Sequence, residues 1–321
     1  MSIYIPVNGK KQVSSVFSNV NGEVKKISGV FGNVKGNVAR MFSEAVQGFK
    51  QFMVVGKYGW SYCSLDGETW IAINKPDTNT YRSVCYGNGR FVCVGEYGNS
   101  YYSIDGTTWN KMSGLATGTY YGVTYGNGRF VCVGTSGNSY YSLNGETWIA
   151  MSGLNTSHNF YGVTYGNGKF VCVGTGGNSY YSVDGINWIA MSGLNNTDFY
   201  GITYGNGRFV CVGKNKQSYY SLDGVNWVAM TGLSSSYMYY SVAYGNGRFV
   251  CVCSDGKVAY STNGETWVEK TLSGTLNGVA YGNGRFICVG NSSKSYYSLD
   301  GETWIAMTGL NNTDFYGVCY G

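Results

Sequence analysis

The stretch Tyr121-Gly-Val-Thr-Tyr-Gly-Asn-Gly-Arg-Phe-Val-Cys-Val133, continued past Gly134 by Thr135-Ser-Gly-Asn-Ser-Tyr-Tyr-Ser-Leu-Asn-Gly-Glu-Thr-Trp-Ile-Ala-Met151, decides the fold. Tyr121 to Tyr125 is rich in β-branched and aromatic residues and predicts a strand. Asn127-Gly128 follows, the strongest two-residue hairpin signal, because both residues tolerate positive φ. Arg129 to Val133 predicts a second strand, Ser139 to Ser142 a third, and Glu146 to Met151 a fourth. Turns at 135–138 and 143–145 separate them. No segment carries a helical apolar period.

The phrase recurs. Trp70, Trp109, Trp148, Trp188, Trp227, Trp267 and Trp304 are spaced by 39, 39, 40, 39, 40 and 37 residues. Tyr-Gly-Asn-Gly-Arg/Lys-Phe starts at Tyr86, Tyr125, Tyr165, Tyr204, Tyr244 and Tyr281. A period near 40 built from strand formers predicts an all-β, seven-bladed β-propeller of four-stranded antiparallel blades. One such blade cannot cover its own faces, so neighbours must supply the cover. In Phe130-Val-Cys-Val133 both faces are apolar, which places that strand between two blades. The Trp series is expected to fill the space between blades. The first copy is degenerate from Ser43 to Phe52, and Phe315 to Gly321 repeats the inner strand once more. That last strand, 315–321, is expected to pair with blade one and close the ring. The domains are then a β segment at 1–45, read as a small meander, and a propeller at 46–321.

The Ser-x-Asp/Asn-Gly-x-Thr/Asn-Trp phrase, starting at Ser64, Ser103, Ser142, Ser182, Ser221, Ser261 and Ser298, resembles the Asp-box of sialidase-like propellers, shortened by one residue between Asp and Trp. The resemblance implies a structural turn between third and fourth strands with no catalytic part. Asn144 and Asn263 stand in for Asp, so the turn does not require a charge. In the first fifty residues, Val7-Asn-Gly9, Val20-Asn-Gly22 and Val34-Lys-Gly36 recur. This segment resembles the N-terminal parts of tail and tail-fibre proteins of phages of Gram-positive bacteria, and of phage-tail-like bacteriocins. It implies attachment to a particle.

Charge follows the same division. The first fifty residues hold seven basic and two acidic side chains, and the rest holds 15 of each. A neutral propeller argues against nucleic acid as a partner. Six of the ten cysteines (Cys93, Cys132, Cys172, Cys211, Cys251, Cys288) take one position in successive repeats, too far apart for disulfides. They read as small core residues of a chain folded in a reducing cytoplasm. No signal core and no run long enough to span a membrane is present. Assembly in a bacterial cytoplasm into a virion or phage-tail-like particle fits these traits.

Function is expected where repeats differ. Antiparallel connectivity puts the Asn-Gly and Asp-box turns at one end of the ring. The loops between second and third strands, and the connections between blades, lie at the other end. The second set varies and is rich in Asn, Asp, Ser, Thr, Tyr and Lys, an inventory suited to sugars. The candidate ligand-binding residues are Tyr58, Trp60, Tyr97, His158, Asn159, Asp198, Lys214, Lys216, Tyr237, Asp255, Lys294 and Asp314. No catalytic residue, metal or cofactor is expected. His158 is the single histidine, and Arg90, Arg129, Arg208, Arg248 and Arg285 repeat at one hairpin position with Lys169, as structural residues do. Asp198 and Asp314 occupy duplicate segments, which places them apart rather than as an acid/base pair. The leading expectation is a tail protein that docks other tail or baseplate subunits through its N-terminus and binds a host glycan or surface protein through the propeller. The alternatives are a purely structural baseplate or fibre component, a free lectin, and a hydrolase. A homo-oligomer is compatible with each.

Overall fold

The computed structural model describes residues 16–20, 23–27, 50–73, 76–215, 217–234 and 236–321. Two compact units divide the chain, 1–49 and 50–321. In the first, Val16–Val20 pairs antiparallel with Glu23–Ile27, Val20 facing Glu23. The other expected turns of the meander, the degenerate stretch at 43–49 and Lys216 lie outside the described residues.

The second unit is a seven-bladed propeller of four-stranded antiparallel sheets. Blade 3 is typical, with an inner strand Tyr120–Gly126, then Arg129–Gly134, Ser139–Ser142 and an outer strand Ile149–Ala150. The inner strands of blades 2 and 4 to 7 are Tyr81–Gly87, Phe160–Gly166, Phe199–Gly205, Tyr239–Gly245 and Leu276–Gly282. Blade 1 joins the two ends of the ring. Its inner strand is Phe315–Tyr320, paired with Phe52–Gly56 in the register Phe52 to Tyr320 and Val54 to Val318. The expected closing strand is therefore in place. The fourth strand is shorter than expected: Ile149–Ala150 replaces Glu146 to Met151, because Glu146 and Thr147 give their amides to the preceding turn. A two-residue edge strand leaves few unpaired backbone groups for another chain to pair with.

The core lies between blades. Val92 and Val94 of blade 2 pack on Phe130 and Cys132 of blade 3. Val131 and Val133 of blade 3 pack in turn on Phe170 and Cys172 of blade 4. The ten cysteines are free, and burial pushes thiols such as Cys172 well above their usual range. Trp148 is buried and its indole N–H points at Sδ of Met112 in the preceding blade, 2.8 Å away. Trp70 makes the same contact across the closure, to Met307 at 3.3 Å.

One end of the ring is built from repeated devices. Asn127 and Gly128 both take positive φ, at 45° and 75°, as the hairpin requires. The Ser142 hydroxyl donates to Asn144 and accepts the Gly145 amide, while Asn144 Oδ1 accepts the Glu146 and Thr147 amides. Asp300 does the same work with Ser298, Glu302 and Thr303. Burial raises the Asp300 carboxyl, but the Thr303 and Glu302 amides outweigh it and hold the group at about 2. Arginines then bridge blades: Arg90 to Glu146, Arg208 to Glu265, Arg248 to Glu302 and Arg285 to Glu68. Where Ile186 replaces the glutamate, Arg129 Nη1 is buried with no hydrogen-bond partner.

Candidate functional site

At the opposite end, five of the loops between second and third strands share one backbone plan. Residues 135–137 form a tight turn in which Ser136 has φ 52° and Gly137 has φ 68°. The turn is tied to the connection that leaves its own blade for the next. Gly137 N–H donates to the His158 carbonyl at 2.8 Å, and Thr135 N–H to Thr119 at 2.9 Å. The same tie recurs as Gly59 to Asn79, Gly98 to Gly118, Gly177 to Thr197 and Ser293 to Thr313. The varied loops are thus held by backbone bonds that do not depend on their side chains, which leaves the side chains free to vary.

Behind these loops the inner strands open into the central channel. Each inner strand has a register shift at its second residue, next to the loop end. In blade 3, Tyr120 faces Gly134 and Gly122 faces Val133, so Tyr121 has no partner across the ladder. The same bulge carries Arg82, Tyr161, Tyr200, Tyr240, Asn277 and Tyr316. A bulge re-aims a side chain out of the sheet. All seven residues line the channel mouth, a cavity of about 170 Å³. Small residues follow them: Gly122 stands where a Cβ would press on the Tyr161 carbonyl. Ser83 and Ser241 take that position in two blades, and their hydroxyls accept the Val123 and Val279 amides at 3.3 Å.

The mouth is asymmetric. Tyr121, Tyr161, Tyr200 and Tyr240 form an aromatic arc, with successive ring centroids 4.9, 5.2 and 5.6 Å apart. Burial raises the phenols of Tyr121, Tyr200, Tyr240 and Tyr316, with Tyr200 pushed up to about 12. Their hydroxyls stay protonated donors at neutral pH. The rest of the mouth is polar. The Arg82 guanidinium lies over the Tyr316 ring at 4.5 Å and bonds Glu96 at 2.5 Å. Asn277 Nδ2 donates to Asn291 Oδ1 at 2.7 Å and to the Phe315 carbonyl.

The candidate residues divide by role. Tyr58 and Tyr97 are exposed at 55% and 68%, on adjacent blades, and both sit in the left-handed region with φ 57° and 59°. Lys57 joins Tyr58 to Asp314: its Nζ lies 5.1 Å from the Tyr58 ring centroid and 3.8 Å from Asp314 Oδ2. Trp60 is half-buried and stacks on Tyr62 at 6.2 Å. Asn159, Asp198 and Asp314 cap neighbouring turns through Oδ1, accepting the Ser136, Gly176 and Ser292 amides. These three are therefore at least partly structural. Lys214 lies beside Asp198, its amide donating to the Asp198 carbonyl at 2.9 Å. His158 is half-buried, with Nδ1 lacking a hydrogen-bond partner. Tyr237 meets Lys257 Nζ at 5.8 Å from its ring centroid, and Asp255 and Lys294 are exposed. Asp198 and Asp314 cap separate loops, so the structure does not bring them together. Among the described residues no cluster of three His, Cys, Asp or Glu is placed to hold a metal ion.

Sequence reasoning missed the channel mouth. Five of seven bulge positions are tyrosine, and that regularity reads as a fold requirement. The available signal was the interruption of the series by Arg82 and Asn277.

No protein-family model matches the chain, and no curated protein matches it. Solved structures are similar in fold. YCF48 from Cyanidioschyzon merolae is 14% identical, with TM-score 0.61, covering 77% of this chain and 91% of that one. YCF48 bound to a D1 peptide is 19% identical, with TM-score 0.58, covering 76% and 87%. Virginiamycin B lyase from Staphylococcus aureus is 11% identical, with TM-score 0.62, covering 74% and 94%. At these identities the likeness establishes the fold alone, and it joins a lyase with proteins of other kinds.

Proposed function

We propose that the chain is a non-catalytic recognition protein whose propeller binds a glycan on a host surface through its loop end. The single observation that carries this reading is the mouth itself. Seven bulges aim an aromatic arc and a polar arc into one cavity, at the same end as the varied loops. Aromatic faces stack on sugar C–H surfaces, while amide, guanidinium and phenol groups bond hydroxyls. The loops are fixed by backbone bonds before any ligand arrives, which lowers the ordering cost of binding. The N-terminal resemblance adds the setting: a tail or tail-like particle, assembled in a bacterial cytoplasm, to which residues 1–45 attach the propeller.

The test is direct. The full chain, immobilised, is presented with a glycan array and with purified Gram-positive cell walls, and bound and released material is weighed by mass spectrometry. Retention of intact glycan supports the reading. Shortened glycan would turn it toward a hydrolase. A propeller of this fold holds a bound peptide, so retention of peptide without glycan is the competing result. Burial of the loop end inside an imaged particle would instead favour a structural baseplate component.

A further inference from the structure

The repeats differ from one another most, and in the same direction, where blades 1 and 2 meet. Five blades place Ser136, Gly176, Asn215, Asp255 or Ser292 at the second loop position, and these two place Tyr58 and Tyr97. The loop's first position is charged in both, as Lys57 and Glu96, a feature blade 5 shares through Lys214. Of the seven bulge positions, blade 2's carries arginine, Arg82. None of these departures is explained by folding. Glycine fills the same turn without strain at Gly176, and Ser136 and Ser292 place small side chains there, whereas a bulky side chain at φ near 58° is an outlier that the backbone resists. Both tyrosines also remain largely exposed, so packing does not offset the strain.

The departures form one connected sector. Arg82 reaches from blade 2 to cover Tyr316 of blade 1 and is held there by Glu96, the residue before Tyr97. On the other side Lys57, the residue before Tyr58, pairs with Asp314, two residues before Tyr316. Two positive and two negative groups thus surround one phenol ring, and each positive group already has its partner. An anion entering here would have to compete with Glu96 or Asp314 for its cation. A neutral polyol can bond the outer lone pairs and N–H groups while both ion pairs stay made.

Resting on the glycan reading above, we infer that the blade 1–blade 2 sector is the specificity subsite, and that it takes a neutral pyranose whose C–H face is sandwiched or flanked by Tyr58 and Tyr97. The test uses the full chain against an array holding neutral, N-acetylated and acidic oligosaccharides. Wild type is expected to retain neutral members, with little change between low and moderate salt. Tyr58→Gly and Tyr97→Gly are each expected to lose about ten-fold in affinity, the scale of one aromatic contact. Ser136→Gly, at the same loop position in blade 3, is the matched control and is expected to lose less than about two-fold. Far-UV circular dichroism of each variant establishes that the ring is intact. Equal losses in all three variants, or loss only in Ser136→Gly, would overturn the sector while leaving glycan binding standing. Retention confined to acidic sugars would overturn the neutral class. Absence of any glycan retention by wild type would overturn both the subsite and the reading it rests on.

Discussion

The two ends of the ring use the same chemistry for different purposes. At the Asp-box end each turn is self-sufficient: Ser142, Asn144 and the amides of 145–147 satisfy one another within six residues. At the loop end five turns borrow a partner from the connection to the next blade, as Gly137 does from His158. Self-sufficient turns require particular side chains and therefore repeat. Borrowed turns take a backbone carbonyl, joined in three blades by an Asn or Asp cap from the same connection, and their own side chains drift. Repetition in this chain marks where side chains carry the fold, and variation marks where the backbone suffices.

The largest test of that contrast is ring closure. A chain stopped at Asp314 loses the strand paired with Phe52–Gly56. It is expected to lose cooperative melting altogether, a loss on the order of the whole stability of such a domain, about 5–15 kcal/mol. Calorimetry checks this, and a sharp transition near that of the full chain would mean that blade 1 stands without closure.

Glycine substitutions separate the ends next. A Cβ on Gly166 would fall within the ring of Tyr204, one of seven such contacts that continue to Gly321 and Tyr86. Gly166→Ala is expected to cost about 3 kcal/mol through overpacking. Gly176→Ala, at the loop end, meets only Asn196 Oδ1 and a φ of 60°. It is expected to cost about 1 kcal/mol. Urea unfolding of both decides, and equal costs would erase the distinction.

Acid sharpens it further. Asp66, Asp105, Asp184, Asp223 and Asp300 are all held below the usual carboxylate range. A depressed folded pKa stabilises fully above the unfolded value near 4, and that contribution is lost as pH falls through the folded value. Thermal stability should therefore drop between about pH 4 and pH 2, the folded position of Asp300. Asp300→Asn should flatten part of that drop and leave melting at pH 7 nearly unchanged, since Asn144 and Asn263 already make the same amide contacts. The smallest effect is a gain. Ile186→Glu gives Arg129 the partner that Arg90 has in Glu146. It should add about 0.5 kcal/mol, a surface ion pair's worth, and fade in high salt.

Most of the architecture was legible because the repeats expose it. Blade number, strand order, the hairpin at Asn127-Gly128 and the closing strand at 315–321 follow from periodicity and turn chemistry. The outer strands start later than expected, at Ile149 in blade 3, because the box consumes the amides of Glu146 and Thr147, a side-chain effect that strand propensity does not contain. The loop end was legible as a location. The roles of Asn159, Asp198 and Asp314 were not, because the amides that donate to them lie on the preceding blade's loop, 22 or 23 residues away. The channel mouth was illegible for another reason. A bulge is a property of pairing register, and nothing in Tyr121-Gly-Val-Thr-Tyr125 announces that its first residue will be left without a cross-strand partner.

The central claim is that the departures at the blade 1–blade 2 loops serve contact and work against folding. The melting temperature of Tyr58→Gly/Tyr97→Gly, in the full chain without ligand, tests it most directly. Relief of two strained turns predicts a melting temperature equal to or a few degrees above wild type, about 2–4 °C per kcal/mol at this size. A fall of several degrees would place both tyrosines among the residues that hold the ring together, and the account would fail.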